Sequence, residues 1–410
     1  MSLRPVAPQR LLRLHGFRML LLDRLLAPAA TAVSMVAVSF AVLGLTGSVT
    51  DLSHVLAAQI APALVFMPVS GVVADRFGAQ YVIAASCLLT ACCEGALALL
   101  LLTGQAQVWH IMLLEAGTGT ALALFLPAST ALLPRLVPDA ELQRANALSR
   151  LVMNAATVGG GAFAGVAVAA FGPGWALAAD AAGMLAAVVP NLLIRTARAA
   201  PARSPEPLRE LREGWREFRS HTWLWVIVLQ YSLVFMACSW GYSVLGPVVA
   251  RTSLGGPAAW GEILVAESLG LVVGGCAATR FAPRRPMRFV ALCGAAVAAP
   301  TLAMALLLPL WLICAFSFTT GVLVELMMVQ WNVAMARTIP ADRLARVGSY
   351  DMLGTVVATP LGALLAGPLA ATVGIRPAQF AAVFLAVSVS VLALAPKEVR
   401  TEVGWAGGNA

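Results

Sequence analysis

Long apolar runs and short polar breaks alternate along this chain, and the runs share one length scale. Crossing a hydrocarbon layer ~30 Å thick takes about 20 helical residues. Runs of that order stand near 19–45, 54–74, 81–103, 109–133, 146–170, 174–194, 222–249, 260–280, 288–308, 310–335, 348–370 and 377–395. The breaks carry turn residues: Thr103-Gly104, Gly172-Pro-Gly174 and Gly255-Gly-Pro257. The pattern predicts an all-α membrane protein with twelve transmembrane helices.

The chain also repeats itself. At an offset of 202, Pro138, Leu142, Arg144, Ala156, Thr157, Gly160, Gly165 and Gly172 meet Pro340, Leu344, Arg346, Ala358, Thr359, Gly362, Gly367 and Gly374. At 204, Gly71, Ala74, Arg76 and Phe77 meet Gly275, Ala278, Arg280 and Phe281. Two alike, apolar halves are the sequence trace of a two-fold transporter with a substrate site between them. The expected organisation is a six-helix bundle over 1–194, a linker over 195–221 and a second six-helix bundle over 222–410. Six spans per repeat is even, so both halves enter the membrane the same way round.

Composition sharpens this picture. The 410 residues are 60% hydrophobic and 11% charged, against roughly 25% charged in a soluble domain. Lipid must therefore solvate much of the chain. The net charge of +8 sits in the breaks between runs, not on one face. That argues for topology signals and against a nucleic-acid partner. With the N-terminus in the cytoplasm, only Arg251 and Arg376 of the 27 Lys and Arg fall outside. Both termini are expected inside. The linker's Leu208, Leu211, Trp215 and Phe218 recur at helical steps among Arg and Glu, which predicts an amphipathic helix on the inner membrane face.

Seven cysteines lie within apolar runs without a C-x-x-C pair, and four histidines are scattered. No metal-ligand spacing exists. No P-loop or nucleophile–base constellation stands in the loops, so neither ATP nor catalysis is expected from this chain. Mid-span carboxylates are costly, about 2.5–3.5 kcal/mol each, and so are functional candidates. They are Glu94, Glu115, Asp180, Glu267 and Glu325, with Asp23 and Asp351 nearer the inner boundary.

The Gly71-x-x-x-Asp75-Arg76-x-Gly78 motif after span 2, with twelve spans and an inner linker, resembles the major facilitator superfamily. More narrowly the chain looks like bacterial twelve-span drug and siderophore exporters. The residues that carry this are Phe17-Arg18-x-Leu20-x-x-x-Arg24, Leu133-Pro-Arg-Leu-Val137 and Leu142-x-Arg-Ala-Asn-Ala-Leu148. Leu211-Arg-Glu-Gly-Trp-Arg-Glu-Phe218 and Pro360-Leu-Gly-x-Leu-Leu-Ala-Gly-Pro368 also fit. The chain departs from the family at Ala79 and Gln80, where two basic residues are usual. It also departs at Gly159-Gly-Gly161, where antiporters often have Gly-Pro, and at Thr31, where an acid is common.

The resemblance implies a secondary active transporter, a monomer of the bacterial inner membrane. It would export amphipathic drugs or natural products by proton antiport and alternating access, with the proton gradient in place of a cofactor. Gly71, Asp75, Arg76 and Gly78 would form a conformational latch at the inner end of span 2. Spans 1, 4, 7 and 10 would line the cavity, which ranks Glu325 and Glu115 first as proton or substrate-charge sites and Glu267 next. Gln230, Tyr231, Phe235 and Trp240 of span 7, Met328, Trp331 and Asn332 of span 10 and Asn154 of span 5 would line the pocket. A lysophospholipid flippase on the same fold is the alternative reading, and a membrane-embedded enzyme or sensor a remote one.

Overall fold

The computed structural model describes residues 8–138, 141–194, 215–278, 280–281, 283–339 and 341–400. Among them stand twelve long helices: α1 (His15–Thr46), α2 (Val49–Phe77), α3 (Ala79–Leu102), α4 (Val108–Leu132), α5 (Leu142–Phe171) and α6 (Pro173–Leu193), then α7 (Thr222–Leu254), α8 (Pro257–Ala278), α9 (Pro286–Ala305), α10 (Leu310–Thr338), α11 (Ala341–Val373) and α12 (Ile375–Leu392). The first part of the linker lies outside the described residues. Its end, 215–220, is helical, with Trp215 exposed and Phe218 buried, their rings stacked at 5.7 Å.

Several helices outrun their apolar spans. α11 begins at Ala341, ahead of the apolar run at 348. Its 33 residues span about 50 Å at 1.5 Å per residue, more than the hydrocarbon needs. A helix can leave the apolar layer because its backbone is already hydrogen-bonded internally. α9 is interrupted at Val297–Ala298, next to Pro300, whose ring nitrogen has no hydrogen to give the ladder.

The described residues fall in two compact units, one holding those up to 46 with those from 58 to 194 and the other those from 47 to 57 with those from 215 to 400. In unit 1, α1 packs on α5 and α6, and α3 on α4 and α6. Unit 2 repeats the scheme: α7 packs on α11 and α12, and α9 on α10 and α12. The core of unit 1 gathers Phe17, Leu20, Ile83, Leu132 and Met184, and that of unit 2 Trp223, Ile227, Met287, Val290 and Met335. The opening turns of α2 belong to unit 2, where Gly367 of α11 lies against Thr50 and Ser53. Outward-facing positions are apolar as well, among them Leu113, Phe163, Trp311 and Phe384, as lipid solvation requires.

Because lipid is as apolar as leucine, helices associate through close packing at small residues. The repeat places glycine where that packing is tightest. A Cβ on Gly160 of α5 would overlap the carbonyl of Ala29 on α1, and one on Gly362 of α11 would overlap the carbonyl of Met236 on α7. Gly119 of α4 meets the Gln59 carbonyl of α2, and Gly321 of α10 meets the Glu267 carbonyl of α8, in the same way. Gly172 and Gly374 link α5 to α6 and α11 to α12 at φ 85° and 91°, a conformation that disfavours any residue with a Cβ.

Candidate functional site

Unit 1 buries three carboxyl groups at one level. Glu94 lies eight residues before the end of α3, and Glu115 and Asp180 lie seven after the starts of α4 and α6. These helix ends adjoin: α3 turns directly into α4, and Gly174 at the start of α6 rests on Leu101 and Leu102 at the end of α3. Seven or eight residues amount to about 10–12 Å of helix, so all three acids lie well inside the apolar layer. Each is 1% exposed, and the charges of Glu94 and Glu115 bear on Asp180.

Polar neighbours satisfy two of the six oxygens of this cluster. Ser34 Oγ of α1 donates to Glu94 Oε1 at 2.7 Å. Gln59 Nε2 of α2 donates to Glu115 Oε2 at 2.7 Å, and Thr118 Oγ1 lies 3.2 Å from the same oxygen. Glu94 Oε2, Glu115 Oε1 and both Asp180 oxygens are buried and have no hydrogen-bond partner among the described residues. Three carboxyl groups so close in low dielectric cannot all carry charge. The chemistry that such buried carboxyl groups can offer is the holding and release of protons.

The sequence marks these acids as intramembrane but ranks Glu94 and Asp180 low, because α3 and α6 count as outer helices in the resemblance. In the structure both are buried at the level of Glu115. Ser34, Gln59 and Thr118 escaped sequence reasoning, although a glutamine within an apolar span was a usable signal. Elsewhere in unit 1, Asn191 Nδ2 donates to buried Asp23 Oδ1 at 2.6 Å, and the Arg24 guanidinium donates to the Ser129 carbonyl at 3.2 Å. Asn154 is half-buried on α5. Arg76 is exposed, its guanidinium 5.8 Å over the Phe77 ring, and Gly78 turns the chain at φ 95°. Gly71 and Asp75 stand in the last turns of α2, and their surroundings lie outside the described residues.

In unit 2 the expected pocket residues divide. Gln230 Nε2 donates to the Ala291 carbonyl at 2.7 Å and to Ser390 Oγ at 3.0 Å. The Tyr231 hydroxyl donates to the Val290 carbonyl at 2.7 Å, and Trp240 Nε1 to the Ala378 carbonyl at 3.1 Å. Trp331 is buried edge-on to Trp223. These four make contacts between helices inside the unit. Phe235 is half-buried, while Met328 and Asn332 are exposed on α10. Glu325 is half-buried against Gly274 and Gly275 of α8. Glu267 of α8 accepts a hydrogen bond from the Tyr242 hydroxyl of α7 at 2.7 Å.

The sequence model of the transmembrane secretion effectors matches residues 5–403. The chain belongs to this family of the major facilitator superfamily. Members are transporters, and the chain is a multi-span membrane transporter of small molecules, not an enzyme. It is 28% identical to the multidrug efflux pump Tap of Mycolicibacterium fortuitum over 92% of this chain and 93% of the pump. It is 24% identical to the transporter YfiS of Bacillus subtilis over 88% of each. Identity to macrolide efflux protein A of Streptococcus pyogenes is 22% over 60% of this chain and 61% of that protein. The family fold is also that of the nucleoside transporter NupG, at a TM-score of 0.74 and 13% identity over 93% of this chain and 99% of that one. A bacterial homologue of ferroportin gives 0.71 and 17% over 94% and 100%.

Proposed function

We propose that this transporter exports amphipathic drug-like molecules, macrolides among them, in exchange for protons. The observation that carries the coupling is the group of Glu94, Glu115 and Asp180, buried with four unpartnered oxygens. A buried carboxyl group keeps its proton until something replaces it. A cationic substrate does so by stabilising the ionised form, and that competition is the simplest form of antiport. The drug and macrolide pumps among the relatives support the substrate class. Nothing but the proton gradient need power the cycle.

Transport by alternating access in the bacterial inner membrane, with both termini in the cytoplasm and the chain a monomer, completes the reading. Asp75 and Arg76 at the inner end of α2 then act as a weak latch on the inward side, with Gly71 and Gly78 allowing close approach and a tight turn. Glu115 in unit 1 and Glu325 in unit 2 are each a charge that meets substrate, and Asn154 in unit 1 and Phe235, Met328 and Asn332 in unit 2 are taken as substrate contacts. The test is efflux from drug-sensitive bacteria preloaded with a labelled macrolide. Cells expressing the chain should empty faster than controls, and a protonophore or Glu115→Gln should remove the difference. Efflux that persists with the proton gradient collapsed refutes the coupling.

A further inference from the structure

Unit 2 holds a carboxyl group at the place where unit 1 holds a glutamine. In unit 1, Gly119 of α4 presses on the Gln59 carbonyl, and Gln59 bonds to Glu115, four residues before that glycine. In unit 2, Gly321 of α10 presses on the Glu267 carbonyl, and Ser317 stands four residues before that glycine. The same glycine–carbonyl contact recurs, and the acid has changed helix. Glu267 meets Gly321 as Gln59 meets Gly119, one helical turn on from Ile263, which the offset of 204 pairs with Gln59, while Ser317 and Thr320 stand at the offset of 202 from Glu115 and Thr118.

A second feature aims at the same acid. α7 widens into a π-helical turn over Ser239–Val244, a device that often marks functional positions. Tyr242 lies on this turn, 2.7 Å from Glu267 Oε2 and next to fully buried Ser317. The turn is held from α12, where Gln379 Nε2 donates to the Gly241 carbonyl at 3.1 Å and the Ala378 carbonyl takes the Trp240 indole proton. Trp260 closes one side, its ring 5.1 Å from Tyr242 and packed on Gly246. Glu267 is half-buried on α8. The titratable groups facing it among the described residues are Tyr242 and Cys238, both on α7.

We infer that Glu267 is a second proton-carrying residue, one per unit with the Glu115 group, and that Tyr242 on the π-helical turn is its positioning residue. This rests on the antiport reading. An ionised Glu267 holds the Tyr242 hydroxyl by a charge-assisted bond, and protonation weakens it. The proton state of α8 is thereby felt by the widened turn of α7.

Infrared titration of the purified full chain tests this without a substrate, by following the protonated-carboxyl band with pH. Glu267→Gln should remove one titrating component and Glu115→Gln another, the two losses adding. Tyr242→Phe should move only the component that Glu267→Gln removes, and it supplies the test should Glu267→Gln fail to fold. Glu267→Gln with Ser317→Glu rebuilds the Gln59–Glu115 pair in unit 2 and should restore a titrating component. In proteoliposomes carrying a labelled macrolide, Glu267→Gln should cut gradient-driven flux about tenfold while substrate-for-substrate exchange continues. A Glu267→Gln spectrum identical to the parent's, or a Tyr242→Phe shift in the Glu115 component, overturns the inference. Wild-type vesicles that move no macrolide would instead count against the substrate reading, leaving the infrared arms decisive for Glu267.

Discussion

Two adjacent glycines of α5 should respond oppositely to the same added methyl group. A Cβ on Gly159 meets nothing within 4 Å, whereas one on Gly160 would overlap the Ala29 carbonyl oxygen and come within 2.8 Å of its Cα and 2.9 Å of its carbonyl carbon. Ordinary carbon contacts begin near 3.5 Å, so α1 and α5 must separate by roughly 1 Å. Backbone atoms cannot rotate aside as a side chain can. Overpacking of this kind costs about 1–3 kcal/mol, and for a unit of this size each kcal/mol corresponds to about 2–4 °C of melting midpoint. Gly160→Ala should therefore melt about 5 °C below the parent. Gly159→Ala should melt at or slightly above it, because alanine is the better helix former by ~0.5–1 kcal/mol. Thermal melting in detergent, followed by size-exclusion chromatography of a fluorescent fusion, reads both. Equal behaviour of the two variants would refute the account of α1–α5 packing. Gly362→Ala, the repeat partner, should behave as Gly160→Ala does.

Other contacts give further expectations. Asn191→Leu removes the donor to buried Asp23 and should cost about 1–3 kcal/mol, seen as a lower melting midpoint that Asp23→Asn does not reproduce in full. Gln59→Leu strips Glu115 of its 2.7 Å donor and should lower macrolide resistance of expressing cells severalfold while leaving surface expression intact. Gln379→Leu leaves the Gly241 carbonyl buried without its side-chain donor and should destabilise by about 1–3 kcal/mol, seen as a lower melting midpoint. Gly172→Ala and Gly374→Ala each force a Cβ into a positive-φ, extended conformation that is essentially reserved for glycine, at about 1–3 kcal/mol, so parallel losses in melting midpoint are expected.

What could be read from the chain in advance was whatever depends on length and offset. Apolar runs of spanning length gave twelve helices, and the offset of 202 picked out Gly160 with Gly362 and Gly172 with Gly374, which hold matching places in the two units. Gly119 and Gly321 share that offset but have few identities around them, so the pair became visible only through its contacts. The acids announced themselves by standing in apolar spans. Their grouping did not, because it depends on how α3, α4 and α6 rotate about their axes, and a nearly all-apolar helix carries little amphipathic signal to fix that rotation. The same lack of signal hid the carbonyls of neighbouring helices to which Gln230, Tyr231 and Trp240 donate. The π-helical turn around Tyr242 has no proline or charge to mark it.

The account stands most directly on flux through purified protein in vesicles with an imposed pH gradient, offered cationic, neutral and anionic compounds including a labelled macrolide. It predicts uptake of amphipathic compounds that follows the gradient, reverses when the gradient is reversed, and fails in Glu115→Gln. Flux of the same compounds at an unchanged rate after an ionophore has dissipated the gradient would contradict it.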